Sequence, residues 1–211
     1  MKVLAINGSP NAKGNTAFAL QTVLETLQQE GIETEMLHIG KKPIQGCIAC
    51  GYCMEKQNGK CRFADDCVND YVAQMAEADG ILLGSPVYYS GVAGSMKAFL
   101  DRSFFVAAAN NALFRLKAGA GVAAVRRAGS VITVDQLNKY LSISEMIIPT
   151  SNYWNEIHGM VPGEAAQDAE GVQCMQVLGR NMAWLLKLME HGKGAVPAPA
   201  KAEKIMTNFI R

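Results

Sequence analysis

The sequence lacks any apolar run near the ~20 residues of a membrane span, and its first apolar stretch, residues 3–6, is too short for a signal peptide. It also lacks a charge surplus: 20 Lys and Arg stand against 19 Asp and Glu, a net charge of +1 with neutral His. That balance gives no electrostatic reason to expect nucleic acid or an anionic membrane surface as a partner. Charged residues are only 18% of the 211 while hydrophobic residues are 49%, so disorder is disfavoured and one domain with a sizeable core is expected. No internal repeat is present, and His38, His158 and His191 are scattered without metal-ligand spacing. What the chain does have is six cysteines. A soluble cytoplasmic protein is expected, and in a reducing cytosol clustered cysteines point to metal or redox chemistry before disulfides.

Short apolar runs alternate with helical periodicity. Strands are expected at 3–6, 33–39, 80–84 and 119–125, with a fifth at 147–148 and the residues after it. Helices are expected at 15–29, 66–78, 93–104, 131–146 and 167–190. Such alternation implies an α/β fold, a parallel sheet covered on both faces. Ligands of such sheets sit beyond the C-terminal strand ends, where strand order switches. The domain is expected to span 1–192, with 41–67 as a cysteine-rich loop after the second strand and 193–211 as a Pro/Ala linker and tail. Met175, Met182 and Met189, spaced by seven, read as core or helix interface rather than ligands.

The first strand ends in Gly8-Ser9-Pro10-Asn11-Ala12-Lys13-Gly14-Asn15-Thr16. A buried strand feeding a helix N-terminus through glycines is an anion-binding arrangement, because free N–H groups and the helix dipole converge there. Asn15 stands where a Walker loop needs Lys, and G-x-G-x-x-G is absent, so a nucleoside triphosphate or a dinucleotide of the usual kind is disfavoured. An ordinary turn capped by Asn15 or Thr16 remains open at this point. Arg126-Arg127-Ala128-Gly129 follows the fourth strand, and Tyr153-Trp154 follows the expected fifth, as a cover for a ligand or an oligomer anchor.

The cysteines read Cys47-x2-Cys50-x2-Cys53-x7-Cys61. Three thiols at two-residue gaps wrap a tight loop around a cluster and a fourth closes the cage, and thiolate softness selects iron–sulfur or zinc. Cys67 is a spare that could replace Cys61, whereas Cys174 lies alone and is expected to be buried and inert.

Gly8-Ser9-Pro10, Gly14-Asn15-Thr16, Ser85-Pro86-Val87-Tyr88-Tyr89 and Lys97-Ala98-Phe99-Leu100-Asp101-Arg102 resemble the flavodoxin-like FMN reductases, over most of residues 1–160. The cysteine segment between them is similar to that of the iron–sulfur flavoprotein branch. The resemblance implies a doubly wound, five-stranded parallel sheet in the order 2-1-3-4-5 with helices on both faces, and a homodimer or homotetramer. It implies that Ser9, Asn11, Asn15 and Thr16 hold the FMN phosphate. Pro86, Val87, Tyr88 and Tyr89 would border the isoalloxazine, and Arg126, Arg127 and Gly129 would line it in some order. A [4Fe–4S] cluster would sit on Cys47, Cys50, Cys53 and Cys61. NAD(P)H or a reduced carrier would supply electrons, as hydride to flavin N5 in the nicotinamide case, and a small-molecule or protein acceptor would take them. No side chain is required as general acid or base, because the cofactor does the chemistry. Three other readings stay open: a cluster-free NAD(P)H:FMN or quinone reductase, a non-enzymatic electron carrier, and a zinc-bound interaction module.

Overall fold

The computed structural model describes residues 1–40 and 42–209. Lys41, at the start of the cysteine-rich segment, and Ile210 and Arg211, at the end of the tail, lie outside the described residues. The chain runs β1 (Lys2–Asn7), α1 (Asn15–Gln29), β2 (Glu33–His38), α2 (Tyr52–Lys56), α3 (Val68–Glu77), β3 (Gly80–Tyr88) and β4 (Gly91–Val92). It continues through α4 (Gly94–Ala109), β5 (Ala118–Val125), α5 (Ser130–Ile143), β6 (Glu156–His158), a 3-10 turn (Glu164–Gln167) and α6 (Ala169–Gly192). Among the described residues no helix is long and apolar enough to cross a membrane.

Strand side chains alternate between faces, and the two cores follow from that. Val3, Ala5, Leu82, Ala120 and Val122 pack with Leu20, Val23 and Leu27 of α1 and with Met175, Leu178, Met182 and Leu186 of α6. Leu4, Ile6, Ile81 and Leu83 pack with Val72 and Met75 of α3, Met96, Phe99 and Leu100 of α4, and Leu137 and Leu141 of α5. Strand β5 is built of small residues because α5 lies close on it: a Cβ at Gly121 would stand 2.7 Å from Leu137 Cβ.

Five strands run parallel in the order β2-β1-β3-β5-β6, and β4 pairs antiparallel with the end of β3. This corrects the expected order 2-1-3-4-5 of five strands in two respects. First, the third strand does not stop at Gly84 but continues through Pro86 to Tyr88, turns at Tyr89 and Ser90 (φ 50° and 57°), and returns as β4. The second concerns residues 147–148, which do not form the fifth strand. Ile147 makes one isolated bridge to Ala118, and the edge strand is Glu156–His158. Only Ile157 of its three residues is buried. An edge strand this short carries almost no hydrophobic pattern to read. The cysteine-rich segment, expected as loop throughout, contains the short helix α2.

Candidate functional site

The loop after β1 is fixed by its own side chains. Asn7 Oδ1 accepts from Ser9 N at 3.0 Å, Ser9 Oγ from Asn11 N at 3.1 Å and Asn11 Oδ1 from Lys13 N at 3.1 Å. His38, at the end of the neighbouring β2, places Nε2 2.7 Å from the Ser9 carbonyl oxygen. A carbonyl only accepts, so Nε2 carries the proton of that bond. The loop then enters α1 with Gly14 at the cap position and no side chain capping the helix. Its first N–H groups therefore have neither intrahelical nor capping acceptors. Thr16 is 2% exposed, and its hydroxyl has no hydrogen-bond partner among the described residues. Thr16 lines the cleft described next, so a ligand can reach that hydroxyl; the buried side-chain polar atoms without a partner among the described residues are Asn7 Nδ2, at the base of this loop, and Glu156 Oε2.

A cleft of about 240 Å³ opens at this point, over the C-terminal ends of β1, β3 and β5. It brings together Ser9, Asn11, Asn15, Thr16, Pro86, Val87, Tyr88 and Arg126, eight of the residues singled out from the sequence. The other three are not brought to it. Tyr89 is fully exposed at the hairpin turn, and Arg127 is exposed beside Arg126. Gly129, at φ +94°, packs against Ser90 behind the hairpin. Neither Arg126 nor Arg127 has an ion-pair partner among the described residues.

The cleft also has a wall that sequence reasoning missed, formed by Gly159, Met160 and Pro162 of the loop after β6. Asn15 ties this wall to α1: its Nδ2 donates to Val161 O at 3.1 Å and its Oδ1 accepts from Ala165 N at 3.4 Å. Gly159 is needed for the approach, since a Cβ there would stand 2.7 Å from Asn15 Nδ2. Tyr153 and Trp154, expected beyond the fifth strand, precede β6 instead and stack edge-to-face, half-exposed, with centroids 4.4 Å apart. Larger clefts lie elsewhere. One of about 890 Å³ separates the first loop from residues 64–67, and one of about 580 Å³ lies under the tail, lined by Met1, Lys117, Leu186 and Pro197.

The cysteine-rich segment folds over α4. Cys47, Cys50, Cys53 and Cys61 all line one small enclosed cavity of about 20 Å³, with Ile48, Arg102, Phe105 and Val106. Cys67 does not; it lines the 890 Å³ cleft on the far side of Asp66. Burial pushes the Cys53 thiol up, with Cys61 and Cys47 adding to it. Burial, then the Asp66 carboxylate, pushes Cys67 up as well. Cys174 is buried in α6. Among the described residues no three Cys, His, Asp or Glu side chains converge as for a single metal ion. An iron–sulfur cluster is held by four Cys thiolates, and the four cysteines on this cavity would supply that donor set.

Arg102, from α4, is the residue of this region that no spacing rule flagged. Its guanidinium is 0% exposed and paired with Asp66, and it donates to Cys61 Sγ at 3.3 Å, Phe63 O at 3.0 Å and Gln45 O at 3.3 Å. Burial works against the Arg102 charge, but Asp66 and Cys61 outweigh it and hold the guanidinium firmly charged.

Comparison with known proteins gives the family and the fold. The family described as NADPH-dependent FMN reductase matches residues 1–159. An iron–sulfur flavoprotein of Methanocaldococcus jannaschii is 35% identical over 195 residues, covering 90% of this chain and 100% of the relative. One of Methanosarcina thermophila is 28% identical over 195 residues, covering 92% and 99%. Among solved structures, RosB with a bound 8-demethyl-8-formylriboflavin-5'-phosphate intermediate superposes with a TM-score of 0.70 at 13% identity, covering 100% of this chain and 92% of that one. A WrbA-like flavodoxin from Agrobacterium tumefaciens gives 0.61 at 15% identity, covering 89% and 97%. At those identities the structures speak for the flavodoxin-like fold alone.

Proposed function

From the premise that the chain belongs to the NADPH-dependent FMN reductase family, in its iron–sulfur flavoprotein branch, we propose a flavin oxidoreductase that binds FMN at the strand-end cleft. It takes electrons from NAD(P)H or a reduced carrier and passes them to an acceptor through a [4Fe–4S] cluster on Cys47, Cys50, Cys53 and Cys61. The observation that carries the flavin half is the uncapped N-terminus of α1 opening into the strand-end cleft, with the unpartnered Thr16 hydroxyl on its lining. The cysteine cavity under Arg102 supports the other half.

The roles of the residues follow from their positions. Asn15, Thr16, Ser9 and Asn11 would supply N–H and hydroxyl donors to the phosphate, with the helix dipole behind them. Backbone at Pro86 and Val87 and the Tyr88 ring would meet the polar edge and apolar face of the isoalloxazine. Arg126 is the cation at the cleft and would favour an anionic reduced ring. The open side of the cleft leaves room for a second reactant or a second subunit. When bound, FMN supplies hydride acceptance and single-electron release, and the cluster supplies outward single-electron transfer.

The test is a titration of apoprotein with FMN, followed by steady-state oxidation of NADPH and NADH with quinone, dye or free flavin as acceptor. Stoichiometric FMN binding with turnover is expected. FMN binding without turnover of either nicotinamide would leave only a reduced carrier as the electron donor, and failure to bind FMN would overturn the proposal.

A further inference from the structure

The segment that carries the fourth cysteine is held more firmly than the rest of the cysteine-rich loop. Asn69 of α3 grips both backbone groups of Cys61: its Oδ1 accepts from Cys61 N at 2.7 Å and its Nδ2 donates to Cys61 O at 3.1 Å. Asn110, at the end of α4, accepts from Gly59 N at 2.7 Å. Arg102 reaches the sulfur itself, with Nε 3.3 Å from Cys61 Sγ. The other guanidinium contacts are ordinary ones, the Asp66 carboxylate and the carbonyls of Gln45 and Phe63. Arg102 is 1% exposed. A buried arginine is an expensive way to pack a helix, because its desolvation exceeds what an aliphatic side chain would cost. An aliphatic residue could make none of these contacts, and the one to Cys61 Sγ is the one that touches a cysteine of the motif.

We propose that Arg102 selects Cys61 as the fourth cluster ligand and raises the reduction potential of the cluster, by fixing a buried N–H donor and a positive charge at that sulfur. This rests on the cluster reading above. An electron added to an iron–sulfur cluster puts negative charge on its sulfurs, so a donor held against one of them favours the reduced form. Asp66 has the opposite sign of effect: its carboxylate, on Nη1, offsets the charge of the guanidinium. Asn69 acts only on the backbone, so it governs retention of the ligand and not the potential. Arg102 is thus a positioning and tuning residue.

The experiment is an EPR-monitored redox titration of anaerobically reconstituted full-length protein, with iron and sulfide assayed on each sample. Arg102→Lys keeps the charge and loses the Nε donor; it is expected to retain iron and sulfide and to shift the midpoint potential downward. Asp66→Asn keeps the acceptor for Val68 N and removes the negative charge; it is expected to shift the potential upward. Asn69→Ala is expected to speed iron loss to a chelator at unchanged potential. Opposite shifts from the first two variants cannot arise from a merely structural defect. If Arg102→Lys fails to load, Arg102→Gln, which keeps an N–H donor and loses the charge, is titrated in its place, and a wild-type potential there overturns the role. Loaded variants with wild-type potentials, or shifts of one sign, would overturn the role of Arg102 while leaving the cluster in place. Wild-type protein that binds FMN but no iron would overturn the cluster reading and this role together.

Discussion

Thr16 is the residue on which the flavin site turns. Its hydroxyl lines the cleft and has no partner among the described residues, and a hydrogen bond to a charged group is worth about 1.5–3 kcal/mol. Thr16→Ala should therefore weaken FMN binding roughly ten- to a hundredfold, whereas Thr16→Ser should nearly restore it. Fluorescence titration of the apoprotein measures both, and an unchanged affinity for the alanine variant would place the phosphate elsewhere. Lys117 makes a different prediction. It donates to the carbonyls of Ala76 and Ala78, and burial holds its pKa below the ordinary lysine value. The unfolded chain then binds more protons in that window, so stability is full above the ordinary value and declines as pH falls through the folded one. Urea midpoints across the alkaline range should show that slope, and Lys117→Met should flatten it. Residues such as Ser9 and Thr16 were legible in the sequence because strand, glycine turn and helix start are adjacent there. His38 and Arg102 were not, since their partners Ser9 and Cys61 lie 29 and 41 residues away, and no local periodicity encodes a contact at that range.

Among the elements, the helices on either side of the sheet were readable to within a few residues, because each buries one apolar stripe on a strand-built face. The elements at the sheet's active edge were not. The hairpin of β3 and β4 turns on two left-handed non-glycine residues, Tyr89 and Ser90, where hairpin turns ordinarily carry Asn or Gly. Strand β6 is three residues long, and the loop after it became part of the cleft only through Asn15. That loop gives a test: Gly159→Ala pushes a Cβ against Asn15 Nδ2 and against Ala165 N, at 2.7 and 2.8 Å. It should weaken FMN binding without a matching loss of stability. Gly121→Ala should do the reverse. Its Cβ meets Leu137 Cβ at 2.7 Å in the β5–α5 packing, and overpacking of this kind costs about 1–3 kcal/mol. Chemical denaturation alongside FMN titration separates the two, and equal effects on both readouts in both variants would contradict the division between wall and core.

The whole molecule leaves much apolar surface uncovered. Tyr89, Tyr153, Trp154 and Trp184 are exposed, as are Ile205, Met206 and Phe209 of the tail. Exposed aromatic and aliphatic groups in this number mark association surfaces, and sedimentation should find dimers or tetramers at micromolar concentration; a monomer alone would refute that. Two redox groups are proposed in one chain, one at the strand ends and one between the cysteine-rich segment and α4. Anaerobic purification and reconstitution, with FMN, iron and sulfide quantified per chain and EPR of the dithionite-reduced protein, tests this most directly. One FMN and about four irons and four sulfides per chain are expected, with a cluster signal lost on Ser substitution of Cys47, Cys50, Cys53 or Cys61 but kept in Cys67→Ser and Cys174→Ser. Iron and sulfide absent after reconstitution, or a signal that depends on Cys67 and not on Cys61, would contradict that expectation.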